Sequence, residues 1–318
     1  MSESIWIDGM VGLAIGDALG VPVEFTSRVE RKADPVTGMR AYGTHNQPAG
    51  TWSDDSSMAF ATVDSILGKS DLDYKDIMEK FSGWCLYGDY TPFQNNFDIG
   101  ITTSRALMNY GRGTAPVLCG GATEQENGNG SLMRILPVCL WLYQKQKKFR
   151  ITDEEVVAVI NDMSALTHRH VRSMIGCVIY FFLVRSLLDS EESIIDRLQS
   201  GMDAAFNYYR ECRENFYPEV EHYDRLADLW EFKAVPEEEI SSSGYVVHTL
   251  EAAVWCLINS SSYEEAVLKA VNLGDDTDTV GAVTGGLAGL AYGLEGIPNE
   301  WIEELQRREW IFEMLSKL

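Results

Sequence analysis

Residues 272–293 read NLGDDTDTVGAVTGGLAGLAYG, and the fold follows from how this stretch is read. Val280, Val283, Leu287 and Leu290 recur at helical spacing, which predicts a helix with one apolar face. Gly281, Gly285 and Gly289 repeat every four residues, so a second stripe of that helix carries almost no side chain. Ahead of it, three carboxylates (Asp275, Asp276, Asp278) and two hydroxyls (Thr277, Thr279) crowd into five residues. One aspartate at a helix start is an ordinary N-cap. Three exceed what capping needs, and their mutual repulsion calls for an added positive charge. Carboxylate and hydroxyl oxygens are hard ligands suited to Mg²⁺, Mn²⁺ or Ca²⁺. For the stretch taken alone, metal binding is favoured over a plain capped helix, which stays the alternative.

Both patterns have a counterpart earlier in the chain. From Ile5, the residues Ile7, Met10, Val11, Ala14, Ile15 and Ala18 fall on one side of a predicted helix, and Gly12, Gly16 and Gly20 repeat at the same four-residue spacing. Glycine costs about 1 kcal/mol in a helix interior relative to alanine. Two helices carrying it three times each imply close backbone approach, so they are expected to cross in the core with axes within about 10 Å. The acidic counterpart is Ser53-Asp54-Asp55-Ser56, at the start of a helix expected to reach about Leu67. By itself that cluster reads equally well as an N-cap with acids placed favourably in the first turn. Two such clusters at helix starts, more than 200 residues apart, are harder to explain as caps. Together they supply enough oxygens for one or two octahedral cations. A two-metal site polarises substrate oxygens and prepares a water nucleophile at neutral pH.

Further helices are predicted at Tyr74–Tyr87, Ile101–Tyr110 and Ser131–Gln144, then at about 152–166, 170–188, 192–210, 221–232, 246–259 and 262–272, with Trp301–Leu318 closing the chain. Loops are expected at 26–51, 91–100 and 111–130, and a polar linker at 237–244. No period-two strand, hairpin turn or fixed repeat is found. The expectation is a single all-α domain over residues 1–318.

A chain of 318 residues with 45 % apolar and 23 % charged residues can bury a sizeable core and has the composition of a globular protein. Its net charge of −22 argues against nucleic acid and anionic membrane as partners. An anionic small ligand stays compatible with that charge where metal ions and helix N-termini supply local positive potential. The six cysteines form no CxxC pair and read as reduced core residues of a cytoplasmic protein. The N-terminal stretch lacks a basic region and is broken by Asp8 and Asp17, so no signal peptide is expected. VIYFFLV at 178–184 is too short for a membrane span, and no run of that length is expected. The sequence assigns no oligomeric state.

MVGLAIGDALGVPVEF, GTWSDDSSMA, DIGITT, NGNGSLMR, THRH and LGDDTDTVGAVTGGLAG stand in an order that resembles the ADP-ribosylglycohydrolases of the dinitrogenase-reductase-activating type. That family also contains ADP-ribosyl-acceptor hydrolases and a lens crystallin. The likeness runs from about residue 5 to 293, and the paired WSDD and DDTDT blocks are its specific part. It implies an all-α orthogonal helical bundle with a dinuclear metal site between helix N-termini, two Mg²⁺ or Mn²⁺ ions being held between the blocks. The implied metal ligands are Ser53, Asp54, Asp55, Asp276, Asp278 and Thr279. Asp275 stands where many members have glycine, so it is left out of that set and read as a cap. Glu24 matches a glutamate that helps gate substrate, and Asp98 matches an acidic position proposed to assist water attack. Without the resemblance, Glu24 reads as a solvated carboxylate after a helix and Asp98 as the cap of the helix at Ile101. Gly128, Asn129, Gly130 and Ser131 match a loop that holds ribose and diphosphate. Physically, glycines there permit close backbone approach, and a helix start at Ser131 offers free N–H groups to phosphate. His168 is expected to contact substrate and not metal.

The function implied is hydrolysis of the glycosidic bond at C1″ of an ADP-ribosyl group, with Asp98, Asp55 or Glu24 managing the proton. Arginine-linked ADP-ribose on protein is the first-choice substrate, and serine-linked or small-molecule conjugates are the second. Two rivals come from other classes: a non-catalytic ADP-ribose-binding or structural protein, and a metal-dependent phosphohydrolase. Intact Asp54, Asp55, Asp276 and Asp278 count against a pure binder, and no GxSxG, HExxH or Walker A sequence supports another mechanism.

Overall fold

The computed structural model describes residues 5–69, 71–212 and 217–318. In chain order the α-helices are α1 (Ile5–Gly20), α2 (Arg28–Ala33), α3 (Asp54–Lys69), α4 (Tyr74–Tyr87), α5 (Ile101–Gly111), α6 (Leu136–Phe149), α7 (Asp153–Ala165), α8 (Val171–Asp189), α9 (Ile194–Cys212), α10 (Tyr217–Val220), α11 (Leu229–Lys233), α12 (Val246–Ile258), α13 (Tyr263–Val271), α14 (Thr277–Tyr292), α15 (Asn299–Glu304) and α16 (Arg308–Leu315). Among the described residues there is no strand, only three isolated bridges. The chain is a single all-helical domain.

The two glycine-striped helices, α1 and α14, form its axis. A Cβ on Gly16 would lie 2.0 Å from the Gly281 carbonyl oxygen, and one on Gly12 2.4 Å from that of Gly285. The main chains therefore touch, as the spacing predicts, and no side chain fits between them. At the end of α1, a Cβ on Gly20 would lie 2.4 Å from Asp278 Cα. Thr277 Oγ1 donates to Gly20 O at 2.8 Å across the same contact. The glycine stripe thus delivers the chain after α1, with Glu24 on it, to the acidic start of α14. Helices α12 and α13 pack on α14 from one side, α8 joins α14 to α9, and α3 bridges α1 and α6. Large side chains such as Trp6, Phe60, Tyr180 and Trp301 are wholly buried among them.

Several local expectations shift. The loop at 26–51 contains α2, started by a capping box in which Ser27 and Glu30 satisfy each other's backbone N–H groups. No helix begins at Ser131: residues 131–134 are a turn and α6 begins at Leu136, with Pro137 at a first-turn position where its missing N–H is harmless. The helix expected at 221–232 is broken into a 3₁₀ segment, Glu221–Leu226, and the short α11. The closing helix breaks at Arg307, whose φ is +47°. The expectation that no run reaches membrane-spanning length is corrected: Ile5–Val23 and Val171–Asp189 are both long and apolar enough, but 89 % and 72 % of them is buried inside the protein. They are core helices here. Cys119, Cys139, Cys177 and Cys256 are buried free thiols and Cys85 is half-buried, while the side chain of Cys212 lies outside the described residues.

Candidate active site

Asp17 sits in the last turn of α1 with no exposed surface. Its carboxylate accepts the Ser53 N–H at 2.9 and 3.1 Å, the Ser56 N–H at 3.1 Å and the Ser56 hydroxyl at 2.6 Å. These groups open α3, so a side chain from α1 caps it and leaves Asp54 and Asp55 free. The Ser53 hydroxyl donates to Asp55 Oδ2 at 2.9 Å, and Thr279 Oγ1 reaches the same oxygen at 3.4 Å. Asp276 is the N-cap residue of α14, yet its side chain makes no capping bond. Its Oδ2 instead accepts from Asn129 Nδ2 at 2.9 Å, and Asn129 also donates to Thr249 Oγ1 at 2.9 Å. Asp278 Oδ1 accepts the Thr279 N–H at 2.8 Å. Asp55 Oδ1 and Asp278 Oδ2 are buried with no hydrogen-bond partner. The two acidic blocks therefore meet, and capping does not account for them.

Two backbone bonds, Phe25 N–H to Asp275 O at 2.7 Å and Asp275 N–H to Thr26 O at 2.8 Å, clip the chain after α1 to the start of α14. Asp275 has φ +60° and no capping role, so the expectation of a cap is corrected: its main chain makes the clip, and the N-cap position belongs to Asp276. Glu24 is buried and hydrogen-bonded to His45 Nε2. The His45 ring packs 4.9 Å from that of Phe97 and 6.0 Å from that of Phe25. Asp98 follows Phe97 with φ +54°, and the N-cap of α5 is Gly100, with no side-chain capping bond. Asp98 is not a cap either. Glu24, Asp276 and Asp278 each offer an oxygen within 4.8 Å of the others, as do the ligand atoms of Glu24, His45 and Asp98. Glu24 thus stands directly beside the later acidic block.

A cleft of 250 Å³ opens above these groups, lined by Glu24, Phe25, Asp54, Asp98, Ile101, Gly128, Asn129, Gly130, His168, Asp276 and Thr279, among others. Gly128 pairs across a bridge with Tyr245, and the Asn129 N–H donates to Gly244 O at 3.0 Å. The polar linker is thereby part of the site, since the Asp276 N–H also donates to Ser242 O, at 3.1 Å. Ser131 does not line the cleft: its hydroxyl is buried against Ser164 Oγ at 2.9 Å and Cys177 Sγ at 3.5 Å. His168 is 3 % exposed, and Gly130 seats its ring. A wider surface hollow of 620 Å³ lies elsewhere, but its Arg307 is already bonded to Thr91 O and stacked on Trp310.

Burial raises every carboxyl in the site above its ordinary range. It pushes Asp17 up to about 6 against the pull of Ser56, and Glu24 up to about 7 against that of His45. Asp54 and Asp55 are raised well above it by burial, then by Asp55 and Asp17 respectively, and Asp278 by burial and then Glu24. Asp98 and Asp276 are raised by burial too, with His45 opposing for the first and Asn129 for the second. Such a group holds its charges at neutral pH only beside a positive partner. Orphaned oxygens on Asp55 and Asp278, hydroxyls beside them and an all-oxygen donor set fit a hard divalent cation. Sequence reasoning missed Asp17, His45 and the Ser242–Gly244 segment. An acid at a buried position of an apolar helix was the available signal for Asp17; His45 and the linker left none.

The fold is all-helical around a carboxylate-lined cleft, and comparison with known proteins places it. The ADP-ribosylglycohydrolase family model matches residues 6–318, and the chain belongs to that family. It is 33 % identical over 314 residues to the ADP-ribosylarginine hydrolase Tri1 of Serratia proteamaculans (strain 568), covering 97 % of this chain and 77 % of that one. It is 29 % identical to the ADP-ribosyl-[dinitrogen reductase] glycohydrolase of Rhodospirillum rubrum, covering 95 % and 90 %. A solved structure titled ADP-ribosylglycohydrolase-related protein complex superposes with a TM-score of 0.73 at 28 % identity, over 99 % of this chain and 96 % of that one. The protein is an enzyme of the ADP-ribosyl glycohydrolase class.

Proposed function

We propose that the enzyme removes mono-ADP-ribose from arginine side chains of proteins in a reaction that needs two divalent cations, Mg²⁺ or Mn²⁺. The observation that carries this is the meeting of the two acidic blocks beneath one cleft, with Asp55 Oδ1 and Asp278 Oδ2 buried and unpartnered. Ser53, Asp54, Asp55, Asp276, Asp278 and Thr279 are the residues assigned to hold the ions, and Glu24 stands close enough to Asp276 and Asp278 to join them. When bound, such ions polarise substrate oxygens and lower the pKa of water.

The chain's own groups divide the remaining work. Gly128 and Gly130 make room for the His168 ring, and these three residues and Asn129 border the ligand. Asp98 and Glu24, on the cleft wall, are placed to take the proton from a water attacking C1″ and return it to the departing nitrogen. A planar cationic leaving group suits a mouth built from Glu24, Asp98 and the exposed ring of Phe25. The similarity to ADP-ribosylarginine hydrolase Tri1 supports the same choice.

The test is ADP-ribose release from an arginine-ADP-ribosylated protein with Mg²⁺, with Mn²⁺ and with EDTA, alongside Asp276→Asn. Release that EDTA and the variant both abolish is expected. Release only from serine-linked or small-molecule conjugates would reassign the leaving group. Binding of ADP-ribose without any release would make the protein a binder, and AMP or phosphate as product would make it a phosphohydrolase.

A further inference from the structure

Two stretches that the acidic site leaves unused, SLMR at 131–134 and THRH at 167–170, meet beneath the cleft floor. Arg134 is wholly buried and makes no ion pair among the described residues. Its Nη2 donates to Met163 O at 3.2 Å and to Thr167 Oγ1 at 2.8 Å, and its guanidinium lies 4.7 Å from the centre of the Phe81 ring. Nε and Nη1 are left without a partner. Keeping a cation in this condition is costly. Packing alone does not ask for it, since a methionine would fill similar space.

What the cation does follows from counting protons. Arginine only donates, so at Thr167 Oγ1 it occupies a lone pair. The single hydroxyl proton of Thr167 is left for its other partner, His168 Nδ1, at 2.9 Å. Nδ1 then accepts, and a neutral imidazole must carry its hydrogen on Nε2. The opposite tautomer would point two donors, Arg134 and Nδ1–H, at Thr167 and leave its proton without an acceptor. The ring is seated against the backbone of Gly130. A Cβ on Gly130 would lie 2.7 Å from Cε1 and one on Gly128 3.4 Å from Nε2. The His168 main chain is tied to Ser164 by N–H to O at 2.7 Å and by Ser164 Oγ to His168 O at 2.8 Å. With Nδ1 spent on buried Thr167, the Nε2 edge is the one that borders the cleft.

We propose that Arg134, acting through Thr167, is a positioning residue that locks His168 in its Nε2–H tautomer, so that the cleft receives a fixed, neutral hydrogen-bond donor for a ligand oxygen. Burial, reinforced by Arg134, pulls the imidazole down to about 3, so the ring stays neutral where the enzyme works. Which oxygen is bound rests on the ADP-ribose reading above; the tautomer does not.

The test uses the full chain labelled with ¹⁵N-histidine, with long-range ¹H–¹⁵N spectra at pH 7 and His168 assigned by its loss in His168→Gln. The wild-type protein is expected to show His168 protonated at Nε2 only. Thr167→Val should mix the tautomers and weaken ADP-ribose in calorimetry by about tenfold, the size of one neutral hydrogen bond. Thr167→Ser should restore both. A wild-type ring protonated at Nδ1, or an Nε2–H tautomer that survives unchanged in Thr167→Val, overturns the proposal. If Thr167→Val does not fold, the wild-type spectrum still decides. A wild-type protein with the expected tautomer but no affinity for ADP-ribose would sink the functional reading and leave the relay standing.

Discussion

The carboxylate of Asp17, in the last turn of α1, accepts the backbone N–H of Ser53 at 2.9 and 3.1 Å and so fixes where α3 begins. A carboxylate in a helix core is expensive to bury, and Asp17 offsets that cost with donors from Ser53 and Ser56. The geometry matters because Asp54 and Asp55 follow directly. Had either of them served as the cap, it would have been lost to the cleft.

Asp17→Asn tests this division of labour. The amide keeps the shape but turns a donor toward the Ser53 and Ser56 donors. A destabilisation of about 1–3 kcal/mol is expected in urea unfolding, as for a buried polar group that loses its partners. Cation affinity, read by calorimetry, should drop roughly tenfold to a hundredfold, the usual effect of disturbing a group that orients metal ligands. Wild-type affinity for Mn²⁺ in the Asp17→Asn variant would mean that Asp17 serves folding alone.

The glycines of the α1–α14 contact make an opposite pair of predictions with Gly68. Gly16→Ala places a methyl group against the Gly281 carbonyl, where only backbone stands, so the helices must separate. A loss of about 3 kcal/mol or more is expected, at the upper end for overpacking. Gly68, in α3, has nothing within 4 Å of its missing Cβ. Gly68→Ala should therefore stabilise the protein by about 0.5–1 kcal/mol through helix propensity alone. Equal effects of the two substitutions, by denaturant midpoint, would show that the close crossing does not hold the fold together.

What was legible in the sequence was local. The stripes of α1 and α14 repeat over several turns, and repetition survives tertiary context. Helix α2 is six residues long, too short for periodicity, although its Ser27–Glu30 capping box was in plain view. The acidic blocks were legible as a site because helix capping could not use so many carboxylates. Their partners were not, because they come from distant segments. His45 and the Ser242–Gly244 turn carry no pattern of their own, and Asn129, expected on the ligand loop, shows its bond to Asp276 only once the chain is folded. Ser131 shows the converse: its place in a glycine-rich loop suggested a ligand contact, and the turn directs its hydroxyl to Ser164.

Asp98→Asn separates a chemical role from a structural one. Asn tolerates a left-handed backbone as well as Asp does, so the φ of +54° is accommodated. Because Gly100 and not Asp98 caps α5, stability should stay within about 1 kcal/mol of wild type. Turnover of the ADP-ribosylated substrate should fall by about 10²–10⁴-fold if the carboxylate handles a proton. A variant that is less stable but equally active would assign Asp98 to the loop and leave proton transfer to Glu24.

The raised carboxyls fix how cation binding must depend on pH. An acid whose folded pKa lies above its unfolded value holds its proton more tightly in the native state. Its contribution to stability is therefore greatest below the unfolded value, about 4, and is lost as pH rises through the folded one. For Asp17 and Glu24 the upper ends of that window are about 6 and about 7, and Asp54, Asp55 and Asp278 shift in the same direction. In EDTA the site should thus weaken the fold progressively between about pH 4 and 7 as its buried oxygens become charged. A divalent cation acts in the opposite sense, because it binds the ionised form and adds stability by mass action. The gap between melting temperatures with saturating Mn²⁺ and with EDTA should widen from pH 5 to pH 7.5. Surface groups titrate identically in both scans and cancel from that gap. A gap that stays constant or narrows with pH would mean that the carboxylates are already charged and balanced without metal, and the two acidic blocks would need another counter-charge.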